Sequence, residues 1–164
     1  MSIIEEFVAA NDQYAVNFTK GSLPLPPGRK AVVLLCMDAR IDPARALGLE
    51  EGDVHVIRNA GGRAADALRS IIISQRLLGT ETIVILHHTD CGMLTFDNKH
   101  IHGVIHEQLN GADASHIDFL PFENLEQSVR DDVKFLKDSP FIPDSILIKG
   151  FLYDVKTGKI NPVE

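Results

Sequence analysis

Long apolar runs are missing from this chain. No stretch approaches the roughly 18 consecutive apolar residues of a membrane-spanning helix, which argues against a membrane partner. Positive charge is in deficit. Lys and Arg number 16 against 23 Asp and Glu, a net charge of -7. A nucleic acid or an anionic lipid surface is therefore not an expected partner, although one local arginine can still outweigh the global charge for a small anion. The opening "MSIIEEFVAAND" carries two early acids and no basic segment before a long apolar run, so no secretory signal is expected. Cysteine is scarce. Cys36 and Cys91, far apart in sequence, make no disulfide framework, and the default compartment is a reducing cytoplasm. Internal repeats and low-complexity blocks are absent as well.

What remains is an ordinary globular balance, 45% hydrophobic and 24% charged over 164 residues. That length suits one domain with a full core, spanning 1–164, with 1–28 as an N-terminal helix and Pro-rich arm. Residues 2–18 read as an amphipathic helix with Ile3, Ile4, Phe7 and Val8 on one side. The prolines of "KGSLPLPPG" break it. Helix and arm can pack on their own domain or on a partner subunit.

Strand-like runs follow at 31–35, 54–57, 82–86 and 145–149. "AADALRSIIISQRLLG" between the second and third is strongly helical, with Gly79 as its stop. Strands alternating with helices predict an α/β fold with a central, mostly parallel sheet flanked by helices. Region 97–140 is more polar, with helical pieces of which 122–137 is the clearest. The tail "GFLYDVKTGKINPV" predicts a hairpin of two short strands about Thr157-Gly158. In open parallel sheets, ligands sit beyond the carboxyl ends of the strands. Three loops start there: "CMDAR", "RNAGG" and "HHTDCG".

Cys36 alone reads as inert core, as a nucleophile or as a metal ligand. A phosphatase-type cysteine loop needs an arginine six positions on, and Asp42 stands there, so that reading fails. Taken with His88 and Cys91, Cys36 completes two thiols and an imidazole. Such a set suits zinc and leaves a fourth position open. A Cys36–His88 nucleophile and base, and a Cys36–Cys91 redox pair, stay open on the residues alone. His87 would start from the opposite face of an extended strand, so it is expected to pack beside the site. Asp42 and Pro43 read as the cap and first turn of a short helix.

The combination resembles the β-class carbonic anhydrases, most closely the compact bacterial and fungal members. That family's C-x-D-x-R loop is matched by Cys36-Met37-Asp38-Ala39-Arg40, and its H-x-x-C-G loop by His88-Thr89-Asp90-Cys91-Gly92. "GDVHVIRNAGG" and "SIIISQRLLGTETIVILHHTDCG" match the stretch between, and "GFLYDVKTGKI" resembles the closing hairpin. The match is tight over about 30–95, moderate at the end and poor in the middle. The resemblance implies Zn2+ on Cys36, His88 and Cys91, with Asp38 and Arg40 as a catalytic dyad. It implies reversible hydration of carbon dioxide to bicarbonate and a proton, with zinc-bound hydroxide as nucleophile. It also implies a homodimer or higher homo-oligomer with the active site near the subunit interface.

Two thiolates formally cancel the zinc charge, so the activated water is expected to be less acidic than in a tris-histidine site, and activity to rise toward mildly alkaline pH. Asp38 can either orient that water, held back by Arg40, or close the fourth position itself, which would make a non-catalytic zinc protein. Arg58 and Asn59 are expected to fasten loops rather than touch substrate, and His55 to be a strand residue. His87, Asp90 and the group His100, His102 and His106 are candidates for proton export. The chain departs from the family pattern in two places. Its arm has no glutamine to offer a partner's pocket, and Met93 stands where a second glycine is frequent. A related branch hydrolyses carbon disulfide with the same ligands, so hydrolysis of carbon disulfide or carbonyl sulfide is the alternative chemistry.

Overall fold

The four apolar runs become β1 (Ala31–Cys36), β2 (Val54–Asn59), β3 (Thr82–His88) and β4 (Leu147–Tyr153) in the computed structural model, which describes all residues 1–164. A fifth strand, β5 (Ile160–Val163), lies near the end of the chain. The helices are α1 (Ile3–Val16), α2 (Pro43–Leu47), α3 (Ala64–Leu78), α4 (Asn98–Gln108) and α5 (Leu125–Lys137), with short 3-10 turns at Ala60–Gly62 and Gly92–Leu94. No helix is long and apolar enough to cross a membrane.

The strands form one sheet in the order β2-β1-β3-β4-β5. The first four are mutually parallel, and β5 runs antiparallel to β4. From β1 the chain steps outward to β2, then crosses back over β1 to reach β3. The strand order therefore reverses between β1 and β3, where an open α/β sheet leaves a crevice at its carboxyl edge. Cys36 ends β1 and His88 ends β3.

β1 is covered on both sides, which is why it reads as a continuous apolar run rather than an alternation. Val32 and Leu34 join Ile83, Ile85 and Ile148 under Ala67 and Ile71 of α3 and Leu136 of α5. Val33 and Leu35 join Ile41 and Leu86 on the opposite face, packed against Leu47 of α2. Each fully buried Leu or Ile contributes about 1.5–3 kcal/mol. This central strand therefore holds its last residue, Cys36, on a rigid platform.

Helix starts follow their caps. Ser2 and Glu5 form a reciprocal capping box on α1. Asp42, Asp97 and Asn124 cap α2, α4 and α5 through their side chains, with Pro43 in the first turn of α2. α3 has no cap of its own. Its Ala64 N–H instead donates to Asp132 Oδ2 of α5 at 2.9 Å.

The expectation of a hairpin separate from the fourth strand is corrected. "LIKGFLY" is a single strand, and β4–β5 is the only hairpin. Gly150 inside it looks like a break but marks a close approach, because a Cβ there would collide with Val129 of α5. α1 buries none of its residues.

Candidate metal centre

The register of the sheet delivers the site. Cys36 ends β1 beside β3, and His88 ends β3; the turn that follows, with Asp90 at φ +57, brings Cys91 back. One ligand atom from each of Cys36, His88 and Cys91 lies within 4.8 Å of the others, and all three residues are buried. His88 Nδ1 sits 2.8 Å from the Thr89 carbonyl oxygen. A carbonyl can only accept, so Nδ1 carries the proton and Nε2 presents a lone pair. That Nε2 is buried and has no hydrogen-bond partner. An orphaned imidazole lone pair beside two thiols is costly unless a cation takes it up. A carbonyl fixing the far nitrogen is the usual support for a metal-binding histidine. The donor set therefore fits zinc.

The two thiols are electrically unequal without a metal. Hydrogen bonding from Cys91 holds the Cys36 thiol well below its ordinary range, against the effect of burial and with help from the Asp38 and Gly61 amides. Cys91 is pushed up in turn, because its thiol proton is held in the hydrogen bond to Cys36 and burial opposes its ionisation. Gly61 N–H reaches Cys36 Sγ at 3.4 Å.

Asp38 is paired with Arg40. Oδ1 accepts from the Arg40 backbone N–H at 2.9 Å and from Nε at 3.0 Å, and Oδ2 accepts from Nη2 at 2.7 Å. The Arg40 guanidinium holds the Asp38 carboxyl well below the usual carboxylate range. Asp38 Oδ2 stands 3.8 Å from His88 Nε2, so the carboxylate borders the centre. Arg40 also reaches across to the second loop, with Nη1 on Asp90 Oδ2 at 2.7 Å and Nη2 on the Asp90 carbonyl at 3.0 Å. One guanidinium thus ties together the two loops that supply the ligands.

Arg58 and Asn59 serve the loops. Arg58 donates to the carbonyls of Cys36 and Asp38, at 2.9 and 2.7 Å. Asn59 closes its own turn through the Arg63 N–H and C=O. His55 lies on β2 with Nδ1 2.7 Å from Ser74 Oγ. His87 is buried on the side of α5, 2.7 Å from Ser128 Oγ. Met93 is buried against the two cysteines, with Leu94, Phe96 and Phe122 beside it. His100, His102 and His106 lie on α4 and do not join the three ligand atoms. Three contributors were not read from the sequence: Asp90 as a second partner of Arg40, and the pair of half-buried Arg63 with buried Asp132. Asp132 carried a readable signal, an acid on the apolar stripe of α5 with Val129 and Leu136.

Comparison with known proteins agrees with this geometry. The profile of the carbonic anhydrase family matches residues 31–160. The chain is similar to β-carbonic anhydrase 1 of Mycobacterium tuberculosis, at 42% identity over 99% of both chains. It is similar to the crystal structure of carbonic anhydrase from Streptococcus mutans, with a TM-score of 0.94 and 46% identity, covering 100% of this chain and 99% of that one. A carbon disulfide hydrolase of Acidithiobacillus thiooxidans is more distant, at 30% identity over 84% of this chain and 79% of the relative.

Proposed function

The chain belongs to the β-class carbonic anhydrase family, and on that premise we propose that it interconverts carbon dioxide and bicarbonate at Cys36, His88 and Cys91 with zinc as its metal. The observation that carries the reading is the buried, unpartnered Nε2 of His88 beside two thiols and a carboxylate already engaged by arginine. When bound there, zinc supplies a Lewis acid that makes water acidic enough to act as a nucleophile near neutral pH. Everything else falls to the chain's own residues.

Asp38 is the orienting group. A carboxylate offers about four acceptor sites, and Arg40 occupies two on Oδ1 and one on Oδ2. The site left over is on Oδ2, the oxygen that borders His88 Nε2. It can accept a hydrogen from the attacking water and so turn a lone pair toward carbon dioxide. To occupy the fourth metal position instead, Asp38 would have to give up two-pronged, charge-assisted bonds to Arg40. The buried apolar side chain of Met93, with Phe96 and Phe122 packed nearby, suits a small substrate without charge. The greater distance of the carbon disulfide hydrolase relative supports carbon dioxide as substrate.

The deciding experiment is stopped-flow carbon dioxide hydration by the zinc-loaded protein between about pH 6 and 9. We expect activity that climbs from neutral to mildly alkaline pH, because two thiolates cancel the metal charge. A protein that binds zinc stoichiometrically yet is inactive throughout would refute the assignment.

We propose further that the protein works in the cytoplasm as a homodimer. Ile3, Ile4, Phe7 and Val8 of α1 are all more than half exposed, and a helix that leaves such a stripe uncovered lacks the packing it needs. Sedimentation of the full chain beside a variant lacking 1–20 tests this. A full-length monomer would refute it.

A further inference from the structure

We infer that Asp132 and His87, neither of which touches the ligand atoms, brace the Ala60–Gly62 turn so that the Gly61 amide is held against the Cys36 sulfur. They are thus positioning residues for the metal centre. The inference rests on the reading of that centre as a zinc site.

The turn is loosely specified by itself. Gly61 and Gly62 are both left-handed, with φ of +82 and +66; glycine enters and leaves such angles freely, so the turn keeps one shape only when it is held. Asn59 ties its ends together, and two further groups anchor it to the fold. On one side, His87 Nε2 lies 3.2 Å from the Gly62 carbonyl oxygen and 3.3 Å from Asp132 Oδ2. Both neighbours are acceptors, so the proton sits on Nε2 and pulls Gly62 down onto the end of the sheet. On the other side, the turn leads directly into α3, whose uncapped first N–H, that of Ala64, donates to Asp132 Oδ2. Arg63 completes the grip with two parallel bonds to Asp132, Nε to Oδ2 at 3.1 Å and Nη2 to Oδ1 at 2.9 Å.

Asp132 therefore accepts from a guanidinium and a helix terminus, with an imidazole 3.3 Å from its Oδ2. It is 3% exposed. A buried charge is a poor device for stability, because well-packed apolar groups do the same work at least as well. Its worth here is geometric. The brace fixes the chain immediately after Gly61, at Gly62, Arg63 and Ala64, and Gly61 N–H is the donor to Cys36 Sγ. In a site where two thiolates cancel the metal charge, an N–H that draws charge from one sulfur leaves the metal a stronger acid.

The test replaces zinc with cobalt(II) in the full-length protein and reads the sulfur-to-cobalt charge-transfer band, which reports charge on the thiolates. Asp132→Asn keeps the side-chain shape and weakens the grip. Its band is expected to shift, and zinc affinity to fall about 10–100-fold. Val129→Ala, also on α5 and buried, is the control for lost stability alone, and its band is expected to stay in place. An Asp132→Asn band superimposable on wild type would overturn the brace. If that variant does not accumulate folded, Ser128→Ala removes the partner of His87 Nδ1 and is read the same way, an unshifted band again overturning the brace. A wild-type protein that takes up no cobalt overturns the zinc site itself, whereas wild-type binding and activity with unshifted variants overturn only the brace.

Discussion

Substituting Gly62 by alanine tests the packing of the turn against the sheet, and the structure supplies its own control. A Cβ on Gly62 would lie 2.9 Å from the Leu35 carbonyl carbon, 3.0 Å from Cys36 N and 3.1 Å from Leu35 Cα. All three are backbone atoms of β1, the strand buried on both faces, so none can swing aside. Gly48, at the end of α2, has a similar φ of +61 but nothing within 4 Å of a Cβ. Gly48→Ala should therefore cost only the left-handed penalty, about 1–2 kcal/mol. Gly62→Ala carries that penalty and an overpacking cost of about 1–3 kcal/mol besides. At roughly 2–4 °C per kcal/mol for a chain of this length, its Tm should lie about 2–12 °C below that of Gly48→Ala. Unfolding is best followed on metal-stripped protein, since metal binding would add its own stabilisation to whichever variant binds better. Zinc affinity is then measured separately, and only Gly62→Ala should lose it, because relief of the clash moves either the Gly61 amide or Cys36. Equal destabilisation of the two variants would refute the close approach on which the reasoning depends.

Arg40→Ala should retain zinc, because Arg40 supplies no ligand, but lose activity by roughly 10²-fold or more, as removal of a positioned charged donor does; metal analysis beside stopped-flow rates checks both halves. Asp132 titrates below the usual carboxylate range: burial pushes it up, and hydrogen bonds from His87 and Arg63 outweigh that. A depressed folded pKa stabilises the protein above the unfolded carboxyl value and loses that contribution as pH falls through the folded one. The stability gap between wild type and Asp132→Asn should thus be constant from neutral to about pH 5 and close below about pH 4, as read from denaturant melts across pH; a gap that widens with acid contradicts the pairing. Gln75 is 6% exposed, and neither its amide nitrogen nor its oxygen has a partner. Gln75→Leu should therefore stabilise by about 1–3 kcal/mol, and a lower Tm for that variant would show that the amide is satisfied in solution.

How much of this was legible in the sequence depended on whether a feature was local. The apolar run 31–35, the helix ended by Gly79 and the cap at Asp42 each rest on a few adjacent residues, and each forms where it was expected. The meeting of Cys36 with His88 and Cys91 is long-range, yet it was readable because parallel strands put their loops on one edge. The errors have local causes too. Gly150 breaks the pattern of an apolar strand, and the signal for a close helix is identical in sequence to the signal for a turn. Arg40's grip on Asp90 depends on the left-handed backbone at Asp90, a conformation that the letters T-D-C do not specify.

Asp132 is the instructive case. It comes from the polar middle of the chain, where the resemblance to the family was weakest, and its partners Arg63 and His87 lie far away in sequence. An acid on an apolar helix stripe announces that some cation or donor must meet it, but not which one. Only the crossing of α5 over the end of β3 decides that. The crossing also explains why the brace sits where it does. The chain needed Gly62 bare to lay the turn on β1; Asn59 ties the ends of the turn to each other, but neither glycine has a side chain to anchor it to the rest of the fold. The restraint therefore had to come from outside, and the nearest rigid element is the helix that already packs against α3 and β4. Where a metal loop is made of glycine, the residues that fix its shape are to be sought on the neighbouring helix as well as at the ends of the loop.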